Sequence, residues 1–125
     1  MSLDTNFVID LEEEVGASRS GPAREFLRRH RGDLVAVSVV ALGELAAGMD
    51  DNEAARTFLS GFRVVTLKPE IALEAASVDR ELMATGDRLG ENDTWLAGFA
   101  RYYGTPLVSN DAAFDRVRAL RRLSY

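Results

Sequence analysis

A chain of 125 residues, 46% hydrophobic and 28% charged with no cysteine, has the length of one domain and the balance of a globular protein. Disorder, collagen-like repeats and a disulfide scaffold are excluded, and so are thiolate catalysis, cysteine–zinc sites and iron–sulfur clusters. The net charge of −5 argues against binding a nucleic acid by bulk electrostatics, so any such binding needs a local basic patch or a bound metal.

The chain opens with a short strand, Met1-Ser2-Leu3-Asp4-Thr5. Phe7 to Glu14 reads as a helix ending near Gly16, and Ala17 to Gly21 as a polar loop. Pro22 suits the first turn of the next helix, which Gly32-Asp33 ends. Leu34-Val35-Ala36-Val37 has the unbroken apolar character of a strand buried on both faces. Ser38 is placed to cap an apolar helix running to Gly48, and Asp50-Asp51-Asn52 to open another through Phe58-Leu59 to Gly61. Phe62 to Leu67 is a third strand, and Pro69 to Thr85 a helix with Ile71, Ala75, Val78 and Leu82 on one stripe. After the loop Gly86 to Gly90, Asn92 or Asp93 opens a helix that Gly104 stops. Pro106-Leu107-Val108 is a fourth strand, a helical turn follows Asp111, and Arg122 to Tyr125 forms an edge strand. Strands separated by helices imply crossovers, hence a three-layer α/β/α fold around a short, mostly parallel sheet, one domain over residues 1–125.

Four acids stand where ordinary surface acids do not. Asp4 ends the first strand, Asp93 begins an apolar helix, and Asp111 follows the fourth strand. Glu44 is the only charged residue between Asp33 and Asp50. Each has a plainer explanation. Asp93 and Asp111 fit as helix caps, Asp4 fits an Asx-turn with Thr5-Asn6, and Glu44 fits a buried ion pair with an arginine. Together, however, they are placed to converge beyond the carboxyl ends of the strands, where such sheets bind ligands. Carboxylates ~5 Å apart repel by roughly 3 kcal/mol at an effective dielectric near 20. A hard divalent cation such as Mg²⁺ or Mn²⁺ relieves that repulsion.

These residues resemble a family. Leu3-Asp4-Thr5-Asn6, Glu44, Asn92-Asp93 with Leu96-Ala97, and Leu107-Val108-Ser109-Asn110-Asp111-Ala112-Ala113-Phe114 are similar to the PIN domain, in particular to VapC-type toxins of prokaryotic toxin–antitoxin pairs. The resemblance runs the length of the chain with the acids in order. It implies a metal-dependent endoribonuclease in which Asp4, Glu44, Asp93 and Asp111 bind Mg²⁺ or Mn²⁺ and support phosphodiester hydrolysis. Ser109 matches a supporting hydroxyl, and Asn6 is expected to order the loop after Asp4. The resemblance further implies an RNA substrate, a cognate antitoxin protein that covers the acidic groove, and a homodimer. The sequence departs from the pattern at Gly98, where alanine is usual, and at the bulky Trp95.

The remaining signals are weighed against this reading. Arginine supplies 14 of the 15 basic residues, Lys68 being the only lysine. Arg116, Arg118, Arg121 and Arg122 follow the acidic segment and are candidates for contact with the RNA backbone. His30, the single histidine, suits the C-terminal end of its helix. Trp95, Tyr102 and Tyr103 read as core or dimer contacts, and Phe58 and Leu59 as candidates for the dimer contact. No apolar run reaches the ~18 residues of a membrane span, and no signal-peptide pattern opens the chain, so a cytoplasmic protein is expected. The competing function is a PIN-fold RNA- or protein-binding module without turnover. A receiver domain lacks its phosphoacceptor aspartate here, and a haloacid-dehalogenase-like phosphatase lacks the second acid of its first strand.

Overall fold

The computed structural model describes all 125 residues, Met1–Tyr125. In chain order the elements are β1 (Ser2–Leu3), α1 (Thr5–Gly16), α2 (Pro22–Arg29), β2 (Ala36–Ser38), α3 (Val39–Ala47), α4 (Asn52–Phe58), β3 (Arg63–Val65), α5 (Pro69–Thr85), α6 (Glu91–Tyr102), β4 (Leu107–Val108) and β5 (Arg122–Leu123). Two 3₁₀ turns, Leu59–Gly61 and Ala112–Arg116, precede β3 and β5. The five strands lie in the order β3-β2-β1-β4-β5, and every neighbouring pair is parallel.

Successive residues of a strand face opposite sides. Val108 accordingly joins Leu3, Val37, Phe7, Phe26, Ala41 and Leu45 in one apolar cluster, while Leu107 joins Val78, Leu82, Ala97, Ala100 and Phe114 in another. Helices thus cover both faces, as the expected three layers require.

The strands are shorter than the apolar runs that encode them. Leu34, expected in a strand buried on both faces, is exposed and lies outside β2. The reason is register: Ser2, the first residue of β1, pairs with Ala36, so Leu34 has no partner strand beside it. Asp4 and Thr5 likewise leave the opening strand, because Thr5 already begins α1.

Most helix ends follow the sequence signals. The Ser38 side chain accepts from the Ala41 N–H at 3.3 Å and Asp51 from the Ala54 N–H at 2.7 Å. Pro22 and Pro69 occupy the first turns of α2 and α5. Gly86 closes α5 at φ 74°, a backbone conformation that glycine adopts without steric cost. His30 ends α2, stacked on Phe26 at 4.1 Å with Nδ1 2.8 Å from the Phe26 carbonyl oxygen. One cap comes from elsewhere. Buried Glu14 of α1 accepts from the Ala23 and Arg24 N–H groups at 3.2 and 2.9 Å, serving an α2 terminus that has no side-chain cap of its own.

Two expectations are corrected here. Helix α6 starts at Glu91 with Gly90 as its N-cap, so neither Asn92 nor Asp93 opens it. Leu59 is 3% exposed and belongs to the core, and Phe58 packs against the same cluster, so Leu59 is closed to a dimer partner. Tyr102 and Tyr103 remain exposed, at 40% and 42%. No helix is long and apolar enough to cross a membrane.

Candidate functional site

The strand order reverses direction at β1: the chain builds outward through β2 to β3, then returns to add β4 and β5 on the other side. A crevice opens at such a switch point, beyond the carboxyl ends of the strands. Asp4 directly follows β1, and Ser109-Asn110-Asp111 directly follows β4, so both segments border that crevice.

Asp4 is 2% exposed and stands at the N-cap position of α1 without making a side-chain capping bond. Instead its Oδ2 accepts from the Ser109 hydroxyl at 2.6 Å. Burial pushes the Asp4 carboxyl above its ordinary range, over the opposing hydrogen bonds from Ser109 and the Thr5 backbone. The charges of Asp111 and Glu44 push it further in the same direction.

Asp93 lies in the first turn of α6, half-buried and with no cap to serve. Its carboxyl is raised by burial first, then by the charges of Asp4, Asp111 and Glu44. Asp4 and Asp93 therefore both lie within electrostatic reach of Asp111 and Glu44, as a shared site requires.

Glu44 projects from α3 and is partly buried. It has no arginine partner. Its Oε2 accepts from the Thr5 hydroxyl, and its Oε1 from the Asn92 amide at 2.7 Å. Both partners adjoin other acids in sequence, Thr5 after Asp4 and Asn92 before Asp93. Sequence reasoning assigned neither of them to Glu44; adjacency to an acid was the only signal available. Asp111 is exposed, and its Oδ1 caps the following 3₁₀ turn by accepting from the Ala113 N–H at 2.8 Å. The cap reading of Asp111 and its place among the four acids thus hold together, since a carboxylate has a second oxygen.

Asn6 does not order a loop, because no loop follows Asp4. It is exposed within α1, and its neighbour Thr5 makes the contact to the site. Arg122 turns its guanidinium to Asp115, while Arg116, Arg118 and Arg121 are exposed and in no ion pair. Trp95 lines an open groove of about 440 Å³ together with Glu44, Asn92, Val39, Val40 and Leu67.

No lysine or arginine forms an ion pair with any of the four acids. The donor set is all oxygen, two of its carboxyls are destabilised as anions, and nothing in the chain neutralises them. That chemistry fits a hard divalent ion. As the side chains stand, no three His, Cys, Asp or Glu groups are drawn together tightly enough to hold one, so ion binding requires the carboxylates to close in.

The family model for the PIN domain matches residues 1–120. Ribonuclease VapC2 and Ribonuclease VapC, from two strains of Haemophilus influenzae, are each 34% identical over 93 residues, covering 68% of this chain and 70% of theirs. Among solved structures, VapBC2 from Rickettsia felis bound to promoter DNA aligns with a TM-score of 0.82 at 21% identity, covering 98% of this chain and 96% of that one. DNA-bound VapBC from Salmonella typhimurium aligns with the same TM-score and coverage at 23% identity. The match to the family model over nearly the whole chain, with the sheet order and the acids at its switch point, shows that the chain belongs to the PIN domain family.

Proposed function

We propose that residues 1–125 form one PIN domain that acts as a metal-dependent endoribonuclease, the toxin of a type II toxin–antitoxin pair. One observation carries the reading: four carboxylates from four separate segments are linked by Thr5, Asn92 and Ser109 beside the sheet's switch point, with no basic side chain paired to them. The relationship to Ribonuclease VapC2 supports RNA as the substrate.

Asp4, Glu44, Asp93 and Asp111 would hold one or two Mg²⁺ or Mn²⁺ ions. When bound, such an ion lowers the pKa of a coordinated water and stabilises charge developing on the scissile phosphate. The chain's own residues prepare the site. Ser109 fixes the Oδ2 oxygen of Asp4. Thr5 and Asn92 each hold one oxygen of Glu44. The cap on Asp111 occupies one oxygen and orients the second. With no cysteine and with His30 used at the end of α2, hydrolysis by activated water needs no side-chain nucleophile. A cognate antitoxin and a homodimer are the proposed partners, and the cytoplasm is the proposed compartment.

The alternative, a binding module without turnover, has one observation in its favour: no three acids stand at ligating distance. RNA cleavage by wild type and Asp4→Asn, each in EDTA, Mg²⁺ and Mn²⁺, separates the two. Cleavage that needs metal and is lost in the variant is expected. An absence of both cleavage on a broad RNA panel and Mn²⁺ binding would favour the binding module.

A further inference from the structure

We propose that Arg122, gripped by Asp115, is a positioning residue that braces the loop carrying Ser109 and Asp111 and does not contact RNA. The inference rests on the assignment of this site as the nuclease centre. The Arg122 guanidinium forms a two-pronged pair with Asp115, Nε to Oδ1 and Nη2 to Oδ2, both at 2.8 Å. Its Nη1 donates to the Ser109 carbonyl at 3.1 Å and to the Ser124 hydroxyl at 2.8 Å. Four of the five donors of a guanidinium are therefore committed within the chain. The Arg122 side chain is only 17% exposed.

Every polar group of Ser109 is in turn engaged. Its N–H donates to the Leu123 carbonyl at 2.9 Å, and its carbonyl accepts from Arg122. Its hydroxyl donates to Asp4 at 2.6 Å and accepts from the Asp111 N–H at 3.0 Å. Ser109 is thus the joint through which two candidate metal ligands are held to β5. Asn110 is tied to the same strand end, its Oδ1 accepting from the Tyr125 N–H at 3.0 Å. Arg122 makes no hydrogen bond to Asp4 or Asp111; its charge faces that of Asp111 without contact, and its hydrogen bonds reach both acids only through Ser109. A planar fork is suited to this bridging, because one group grips the 3₁₀ turn on one side and the β4 loop on the other.

The test compares Arg122→Gln, Asp115→Asn and the double variant with wild type. A brace predicts that kcat and Mn²⁺ affinity fall by ~10–100-fold, as when an outer partner of a metal ligand is removed. KM for RNA and its salt dependence stay close to wild type. Asp115→Asn reproduces the effect, and the double variant is no worse than the worse single one, because the two residues act as one unit. Amide exchange at the Asp111 N–H rises at least tenfold (~10) in each variant. Asp115 is 56% exposed, so its variant remains usable where Arg122→Gln fails to fold. A raised KM with unchanged kcat and a shallower salt dependence would assign Arg122 to phosphate and overturn the proposal. Unchanged Mn²⁺ affinity and Asp111 exchange would overturn it as well. If wild type neither cleaves RNA nor binds Mn²⁺, the nuclease reading fails by itself, while amide exchange at Asp111 still decides the brace.

Discussion

Asp93 and Asp4 carry the electrostatic cost of the site. A carboxyl whose folded-state pKa stands above its unfolded value favours folding in its protonated form. That contribution is full below the ordinary value of 3.8 and is lost as pH rises through the raised one. Metal-free protein above those raised values therefore holds these groups ionised at a loss. Asp93→Asn is expected to raise the thermal midpoint of EDTA-treated protein by about 2–4 °C at pH 7. The gain should shrink toward zero as the pH falls through the raised Asp93 value, because wild type then carries a proton there. Thermal melts at several pH values check this, and a gain unchanged in acid would point to packing. Asp93 stood out in the sequence because it heads an apolar helix. The partners of Glu44 did not stand out: Thr5 and Asn92 lie 39 and 48 positions away from it, and only the fold closes those distances.

Helices were the most legible elements. Pro22, Ser38, Asp51, Pro69 and Gly86 each mark an end by a local property of the residue itself, its fixed φ, its short acceptor side chain or its freedom to reach positive φ. Strands were harder to bound, because a strand extends only as far as its neighbour does. Gly98 shows the same dependence between helices. In the sequence it reads as a departure from alanine with no visible purpose. In the fold, a Cβ there would lie 2.7 Å from the N, Cα and Cβ of Ala75, so α5 and α6 pack backbone to backbone at this point. Arg101 ties the same pair of helices, bonding Glu74 and Glu81 of α5. Gly98→Ala is expected to destabilise the protein by about 1–3 kcal/mol despite the better helix propensity of alanine. Ala75→Gly should restore only part of that loss, because backbone atoms remain in the way. Denaturant midpoints of the two singles and the double variant measure it.

At the scale of the whole molecule, the proposed activity sets an acidic chain against a polyanionic substrate. Arg116, Arg118 and Arg121 are exposed and unpaired, and they follow the Asp111 segment. If they contact RNA phosphates, replacing all three with glutamine in an Asp4→Asn background should flatten the log–log dependence of RNA affinity on salt by about 2, at ~0.7 per contact. An unchanged slope would make them an ordinary solvated face. The topology explains why the candidate site gathers at this end of the sheet. Asp4 and Ser109-Asn110-Asp111 leave neighbouring parallel strands in the same direction, and α3 and α6 bring Glu44 and Asp93 to the same place.

The sequence by itself determined the fold class and most helix ends, and it singled out four acids as candidates. Those rest on local physics: the periodicity of apolar residues, the chemistry of caps, and the expense of a carboxylate in an apolar stretch. Tertiary structure decided strand lengths, the purpose of Gly98, the capping of α2 by Glu14, the partners of Glu44, and the commitment of Arg122 to Asp115 and Ser109. Each of these depends on residues far apart in the chain meeting at hydrogen-bonding or van der Waals distance. No local pattern encodes such a meeting; the packing of the sheet and its two helical layers creates it.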